Sequence, residues 1–342
     1  MDKQWVVRSR YLSFSVSPVT VTAGAFITLV TALVILLALA SGSQWLSPKA
    51  IVYEIFTDTS SDNIILETLR LPRTLMAVLV GAGLATSGLI LQSVIRNPLA
   101  SPDVVGMTSG ASAAAVAFLS FFQLSYGIEW LPVFAIVGAL SASTLVYLLA
   151  WRNGVSPMRM ILVGIGISAI MGALTTFIIS ISPTSTSISA YIWLTGSVYG
   201  SNWDDVRALL PWICVGLAIA FAFSRRINTL ELGDNLATGL GVSVQKVRLM
   251  LVLLSVVLAA PAVAYAGAVG FVGLIAPHIA RRLVVRSFAV LLPVTALVGA
   301  CLVVLADFCG RMFFQPLDIP AGVFVSAIGA PFFIYLLFRQ RF

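Results

Sequence analysis

L-R-L-P-R-T-L-M-A-V-L-V-G-A-G-L-A-T-S-G-L-I-L-Q-S-V-I (residues 69–95) joins two arginines, Arg70 and Arg73, to a run without charge from Thr74 to Ile95. A helix rises about 1.5 Å per residue and a bilayer core is about 30 Å thick, so this run can cross. Runs of this length recur along the 342 residues, which are 59% hydrophobic and only 10% charged. A soluble domain carries roughly a quarter charged residues. With a mean hydropathy of +1.03, the chain reads as an all-α polytopic membrane protein.

Gaps between charges mark the remaining spans. Residues 11–48 hold the first, 74–95 the second, 104–128 the third, 130–151 the fourth and 160–180 the fifth. The polar, proline-broken I-S-P-T-S-T-S-I-S (181–189) predicts a surface turn, with a short helix near 188–200. Spans six, nine and ten fall at 208–224, 287–306 and 319–338. The gap 249–280 is long for one crossing and short for two, and Gly267, Gly270, Gly273 and Pro277 interrupt it. Two short spans or a re-entrant pair both return the chain to its starting side; two short spans are favoured, giving ten transmembrane helices in one domain, 1–342.

With the amino terminus in the cytoplasm, basic residues 3, 8, 10, 96, 152, 159, 225, 226, 246, 248, 281, 282, 286, 339 and 341 face inward. Only 49, 70, 73, 207 and 311 face outward, which is the direction the positive-inside rule requires. Both termini are therefore expected in the cytoplasm, and the first span is read as uncleaved. Arg70 and Arg73 run against that bias, with Glu67 their one acidic neighbour in sequence. Interfacial arginines can anchor a helix end; they can equally meet an acidic partner arriving from outside.

The net charge of +7 comes from short clusters between apolar runs, so it reads as an orientation signal and not a nucleic-acid surface. Cys214, Cys301 and Cys309 lie in or at the ends of apolar runs with no metal-ligand spacing, and packing explains them. Gly81, Ala85 and Gly88, Gly106 and Gly110, and Gly164 and Ser168 form small-residue faces suited to close helix packing. Asp307 is the main ionisable group inside a span, with Arg311 one turn on where i,i+4 pairing is possible. His278 is read as a loop or interface residue, and no nucleophile–base pair or metal cluster is visible, so the chain is not an enzyme.

No phosphate-binding loop is present either, so if the chain transports, the energy must come from elsewhere. The segment I-N-T-L-E-L-G-D-N-L-A-T-G-L-G-V-S-V-Q-K (227–246) offers a docking place. Leu230, Leu232, Leu236 and Leu240 give it an apolar face, and Gly233 and Gly241 can end two short helices. That face can also be buried on the chain's own surface, and periodicity does not decide between the two. In R-N-P-L-A-S-P-D-V-V-G (96–106), Ser101 and Pro102 are expected to start the third span, with Asp103 in its first turn.

L-R-L-P-R-T-L (69–75), R-N-P-L-A-S-P-D-V-V-G (96–106), A-T-G-L-G-V (237–242) and G-F-V-G-L-I-A-P-H-I-A-R-R (270–282) occur in that order. L-A-D-F-C-G-R (305–311) and D-I-P-A-G-V-F-V-S-A-I-G-A-P-F-F (318–333) follow. Together they resemble the FecCD family, permease subunits of type II ABC importers for ferric siderophores, haem and cobalamin. The resemblance implies a ten-helix permease of the bacterial inner membrane. It also implies a second permease, here expected to be a different chain, a cytoplasmic ATPase dimer and a periplasmic substrate-binding protein. ATP and Mg would be bound by the ATPase, and no cofactor by this chain.

The same resemblance assigns residues. Arg70, Arg73 and Arg311 match arginines that pair with acidic residues of the binding protein. Glu231, Asp234, Ala237, Leu240 and Gly241 fall in the loop seated in the ATPase. Ser189, Trp193 and Gly196 match an outer gate helix, and Asn153 and Gly154 a cytoplasmic gate region. W-R-N-G (151–154) and W-L-T-G-S-V-Y-G (193–200) are closer to ferric citrate and ferric catecholate permeases than to the cobalamin permease. A ferric siderophore is thus the expected cargo, with cobalamin or haem the alternative. A stand-alone secondary transporter is disfavoured by the scarcity of intramembrane acids, and a structural or signalling subunit leaves the outward arginines unexplained.

Overall fold

The computed structural model describes residues 5–8, 13–16, 18–42, 45–51, 65–284 and 287–339. The inward assignments of residues 3, 10, 286 and 341 lie outside these. Two short strands, β1 (Trp5–Arg8) and β2 (Ser13–Val16), pair antiparallel ahead of the helices. This small ribbon is an addition to the all-α expectation, and it moves the start of the first span to α1 (Pro18–Ala40).

A turn of π-helix, Leu66–Arg70, runs directly into α2 (Leu71–Ile95), with Pro72 in the first turn where its missing N–H is not needed. Then come α3 (Met107–Phe121), α4 (Leu131–Ala150), α5 (Pro157–Ile181), the short α6 (Thr184–Thr195) and α7 (Trp203–Ala222). Two small helices, α8 (Ser224–Glu231) and α9 (Asp234–Gly239), precede α10 (Val244–Ala266). The chain closes with α11 (Val272–Leu283), α12 (Phe288–Met312) and α13 (Ala321–Arg339). Seven of these are long and apolar enough to cross a membrane: α1, α2 with its π-turn, α4, α5, α7, α10 and α12. The shorter α3, α11 and α13 bring the candidate membrane segments among the described residues to ten.

Two expectations need correction. The third span does not start at Ser101: Pro102–Val105 forms a 3-10 turn, Gly106 takes a left-handed conformation, and α3 begins only at Met107. Ser101 makes no capping bond to the backbone there. Nor is 249–280 a pair of matched short spans. Helix α10 is a full 23-residue span beginning at Val244, inside what reads as loop because Lys246 and Arg248 are charged. The return leg is mixed. Residues 267–271 run without helix, and α11 adds 12 residues. Gly267 and Phe271 take positive φ, and the Val269 and Val272 N–H groups donate to the carbonyls two residues before them, so the stretch is a tight bend and α11 adds about 18 Å at about 1.5 Å per residue. Non-helical backbone at that depth survives only inside protein or beside a water-filled cavity. Here Gly267 and Val269 are buried, and Gly270 and Phe271 edge a cavity with Asp103 and Val104.

Helix α2 is the central post, buried along nearly its whole length against α12, α10, α11 and α7. Its glycines explain the fit. A methyl on Gly81 would overlap the Gly299 carbonyl of α12, and one on Gly88 the Gly273 carbonyl of α11. Close backbone approach of this kind is what holds helices together in lipid, where apolar burial alone gives little preference. Asp234 after α8 meets Arg96 at the end of α2 and Arg248 in α10, while Arg73 meets Asp307 and Asp318. These contacts gather sequence-distant loops at two opposite ends of the bundle, as alternating crossings demand.

Candidate functional site

At one end, Arg70 and Arg73 lie at the start of α2 and are almost fully buried, 4% and 8% exposed. Arg73 is the hub of a charged cluster. Its Nε donates to Asp307 Oδ1 and Oδ2 at 2.9 and 3.0 Å, its Nη2 to Asp307 Oδ1 at 2.7 Å, and its Nη1 to Asp318 Oδ2 at 2.6 Å. Tyr199 lies under the guanidinium, with the ring centre 5.4 Å away. Arg70 Nη1 donates to the Leu39 and Ala40 carbonyls at 2.8 and 3.2 Å, closing off the last turn of α1. Arg311 Nη2 donates to the Ala38 carbonyl at 2.5 Å.

Glu67 is the one acidic neighbour of these arginines in sequence, but the acids paired with Arg73 in space come from elsewhere. Asp307 and Asp318 reach Arg73 from the far end of α12 and from the loop beyond it, across a separation sequence reading does not reveal. Asp307 pairs with Arg73 and not with Arg311, because Arg311 turns toward the end of α1. Arg70, Arg73, Arg311, Asp307 and Asp318 by themselves sum to one positive charge. Together with Gly42, Tyr199 and Asn202 the three arginines line a cavity of about 480 Å³.

The expected gate helix is α6, with Ser189 exposed, Trp193 half-buried and Gly196 buried at its end. Ser189 and Trp193 line a cavity of about 310 Å³ with Tyr199 and Tyr265. Gly196 is a junction: its carbonyl accepts from the Gly322 N–H at 2.9 Å, and the next N–H, of Ser197, donates to the Ala266 carbonyl at 2.7 Å. Helices α6, α10 and α13 thus meet in one place.

At the opposite end, α8 and α9 form two short helices broken at Gly233. The leucine face predicted for this segment divides. Leu230 is buried, as are Ile227 and Ala237, whereas Leu232, Leu236 and Leu240 stand 58%, 62% and 66% exposed. Glu231 is also exposed, and Gly241 follows with a φ of +82° that disfavours any side chain. Asn153 and Gly154 form the tip of a tight hairpin closed by a Trp151–Val155 bridge, with φ of +53° and +113°.

Residues 29–339 match the sequence profile of the FecCD transport family. The chain belongs to that family. The achromobactin transport system permease protein of Dickeya dadantii is 48% identical over all of this FecCD chain and 98% of its own length. The iron(3+)-hydroxamate import permease of Bacillus subtilis is 42% identical over 95% of the chain and 98% of its own. The ferric enterobactin permease of Escherichia coli is 40% identical over 88% and 91%. A solved structure described as an inward-facing conformation of a metal-chelate type ABC transporter superposes with a TM-score of 0.81 at 31% identity. It covers 94% of this chain and all of its own. The present chain is thus a permease subunit of a siderophore or metal-chelate ABC importer, a membrane component and not itself an enzyme.

Sequence reading of this FecCD chain singles out the three arginines that gather at one end, the leucines of 227–246 at the other, and a short helix near 188–200 that the structure has as α6. It misses Asp318, Arg248, Gln245 and Arg96, each of which makes a polar contact at one of the two ends. A usable signal exists for Arg248 alone: a charge four residues into an apolar helix needs a partner. His278 packs edge-on against Phe332 of α13, an interface residue as expected. Among the described residues no group of His, Cys, Asp or Glu is placed to hold a metal ion.

Proposed function

We propose that this chain carries ferric siderophores from periplasm to cytoplasm of a bacterial inner membrane, driven by a separate ATPase dimer through alternating access. The observation that supports the cargo is the 48% identity, end to end, to a permease named for achromobactin, with hydroxamate, citrate and enterobactin permeases close behind. The arginine end faces the periplasm and the α8–α9 end the cytoplasm, with both termini cytoplasmic. The exposed Leu232, Leu236 and Leu240, with Glu231 and Gly241, form the ATPase seat. Ser189, Trp193 and Gly196 form the outer gate, and Asn153 and Gly154 belong to the cytoplasmic one. A second permease, a different chain, pairs with this one, and the whole chain acts as one permease domain.

A periplasmic binding protein docks at the cavity of Arg70, Arg73 and Arg311. Arg73 is paired with two carboxylates and Arg70 is almost fully buried, whereas half-buried Arg311 meets a single backbone carbonyl through Nη2, so it is the arginine placed to take an acidic side chain from the partner. A surplus positive charge at a cavity rim steers an acidic surface toward it.

Radiolabelled iron presented as ferric achromobactin, ferric citrate, a ferric hydroxamate or ferric enterobactin to cells lacking this chain tests the cargo. Uptake of at least one should fall to background and return with the wild-type gene; unchanged uptake of all four overturns the siderophore reading. In the same cells, the Arg311→Gln chain should restore uptake only when the binding protein is overproduced. Full uptake at ordinary levels removes Arg311 from the docking surface.

A further inference from the structure

The buried Arg248 ties three cytoplasmic elements together, and no role in transport has been given to it above. Its side chain has no exposed surface, yet it sits in the second turn of a membrane helix. Its two terminal nitrogens serve different masters. Nη1 donates to the Val155 carbonyl at 2.6 Å, and Nη2 donates to both oxygens of Asp234 at 2.9 and 3.0 Å. Asp234 opens α9, the helix that presents Leu236, and it also takes Arg96 at 3.1 Å from the end of α2.

The other side of the clasp is equally specific. The Val155 N–H donates to Gln245 Oε1 at 3.0 Å, so both backbone groups of Val155 are held by the first turns of α10. Gly154 packs on the same Gln245 side chain, where an added methyl would come within 2.7 Å of Nε2. Two residues later, Pro157 starts α5, whose other end leads through Pro183 into the gate helix α6. The hairpin 151–155 is therefore gripped, not resting on its neighbours.

We infer that Arg248 is the positioning residue that transmits displacement of the α8–α9 segment to the 151–155 hairpin and α5, joining ATPase movement to gate movement. This rests on the reading of α8–α9 as the ATPase seat. Arginine is required because one planar guanidinium presents donors in two directions, which a lysine ammonium on a flexible stem does not reproduce. Charge-assisted bonds to a carboxylate are also among the strong ones a protein makes. Coupling between distant sites needs such an element with discrete arrangements, shared by both.

The test uses the complete transporter purified from its host membrane and reconstituted in vesicles. Cargo moved per ATP hydrolysed is measured with whichever of the four iron chelates above the cells take up. Arg248→Lys keeps the charge and most of the side chain and removes the two-direction fork, and Arg248 is outside the segment read as the ATPase seat. Coupling energies of a few kcal/mol correspond to factors of about 5 or more. The Arg248→Lys ratio should therefore fall about fivefold while ATPase copurification and ATP hydrolysis hold. Asp234→Asn, which removes the acceptor of the same bond, should lower the ratio in the same direction, and Asp234→Glu should restore most of it. An unchanged ratio in Arg248→Lys with normal copurification overturns the inference and leaves the ATPase seat standing. Parallel loss of copurification, hydrolysis and uptake shows a purely structural bond and also overturns it. An ATPase that never copurifies with the wild-type chain overturns the seat and the inference together.

Discussion

Arg73→Ala should lower the amount of folded chain in the membrane several-fold and its unfolding temperature in detergent sharply. The substitution removes the guanidinium that, among the described residues, forms the ion pairs to two carboxylates, Asp307 and Asp318, at the end of the bundle. Asp307 retains only 5% of its side-chain exposure, so it loses its counter-charge without gaining water. Breaking a buried pair by deleting one member costs about 3–5 kcal/mol, a large share of the few kcal/mol that stabilise most proteins. The mechanism makes a sharper statement about rescue. Arg73→Met combined with Asp307→Asn should recover much of the loss, since the most deeply buried carboxylate is then neutral and the remaining one, Asp318, is 26% exposed and reaches water. Thermal unfolding of the three purified chains reads this directly. Equal stability of wild type and Arg73→Ala would show that the cluster holds nothing together. The same reasoning discounts an Arg70→Glu, Arg73→Glu chain as a test of docking: a third and fourth carboxylate in this place would damage the fold first.

Leu236→Asp with Leu240→Asp should abolish copurification of the ATPase and cut uptake at least about tenfold, with the permease itself still folded. Both side chains are mostly exposed in the isolated chain, so the substitutions remove no internal packing. Burying one leucine side chain contributes about 1.5–3 kcal/mol, and a charge left in an interface core costs more. Tenfold needs only about 1.4 kcal/mol. Leu230→Asp is the contrast: at 1% exposure it belongs to the interior, and its substitution should cost folding as well as assembly. Pull-down from membranes, alongside the unfolding temperature of each variant, separates the two effects. Retained ATPase on the double aspartate chain would move the docking surface elsewhere.

Membrane identity and the number of segments were legible in the sequence because apolar run length is a local, additive signal. The segment α8–α9 was legible for a similar reason, with Gly233 and Gly241 marking its breaks. Its division into inward Leu230 and outward Leu232, Leu236 and Leu240 was not. Which way a short helix rolls is set by what α2 and α12 leave room for. The non-helical bend at 267–271 was hidden because glycine marks a break without saying how the chain continues. Asp307 and Asp318 on Arg73, and Val155 on Arg248, were hidden more deeply. Each joins residues about a hundred or more positions apart or across a helix reversal, where no periodicity reaches.

The most direct measurement of the account is uptake by the reconstituted transporter, with this chain, its permease partner and ATPase in vesicles and the binding protein added outside. Radiolabelled ferric siderophore should enter only with ATP on the ATPase side and binding protein on the arginine side, and an ion gradient alone should drive nothing. Accumulation by this chain alone under an ion gradient, without ATP or ATPase, would contradict it.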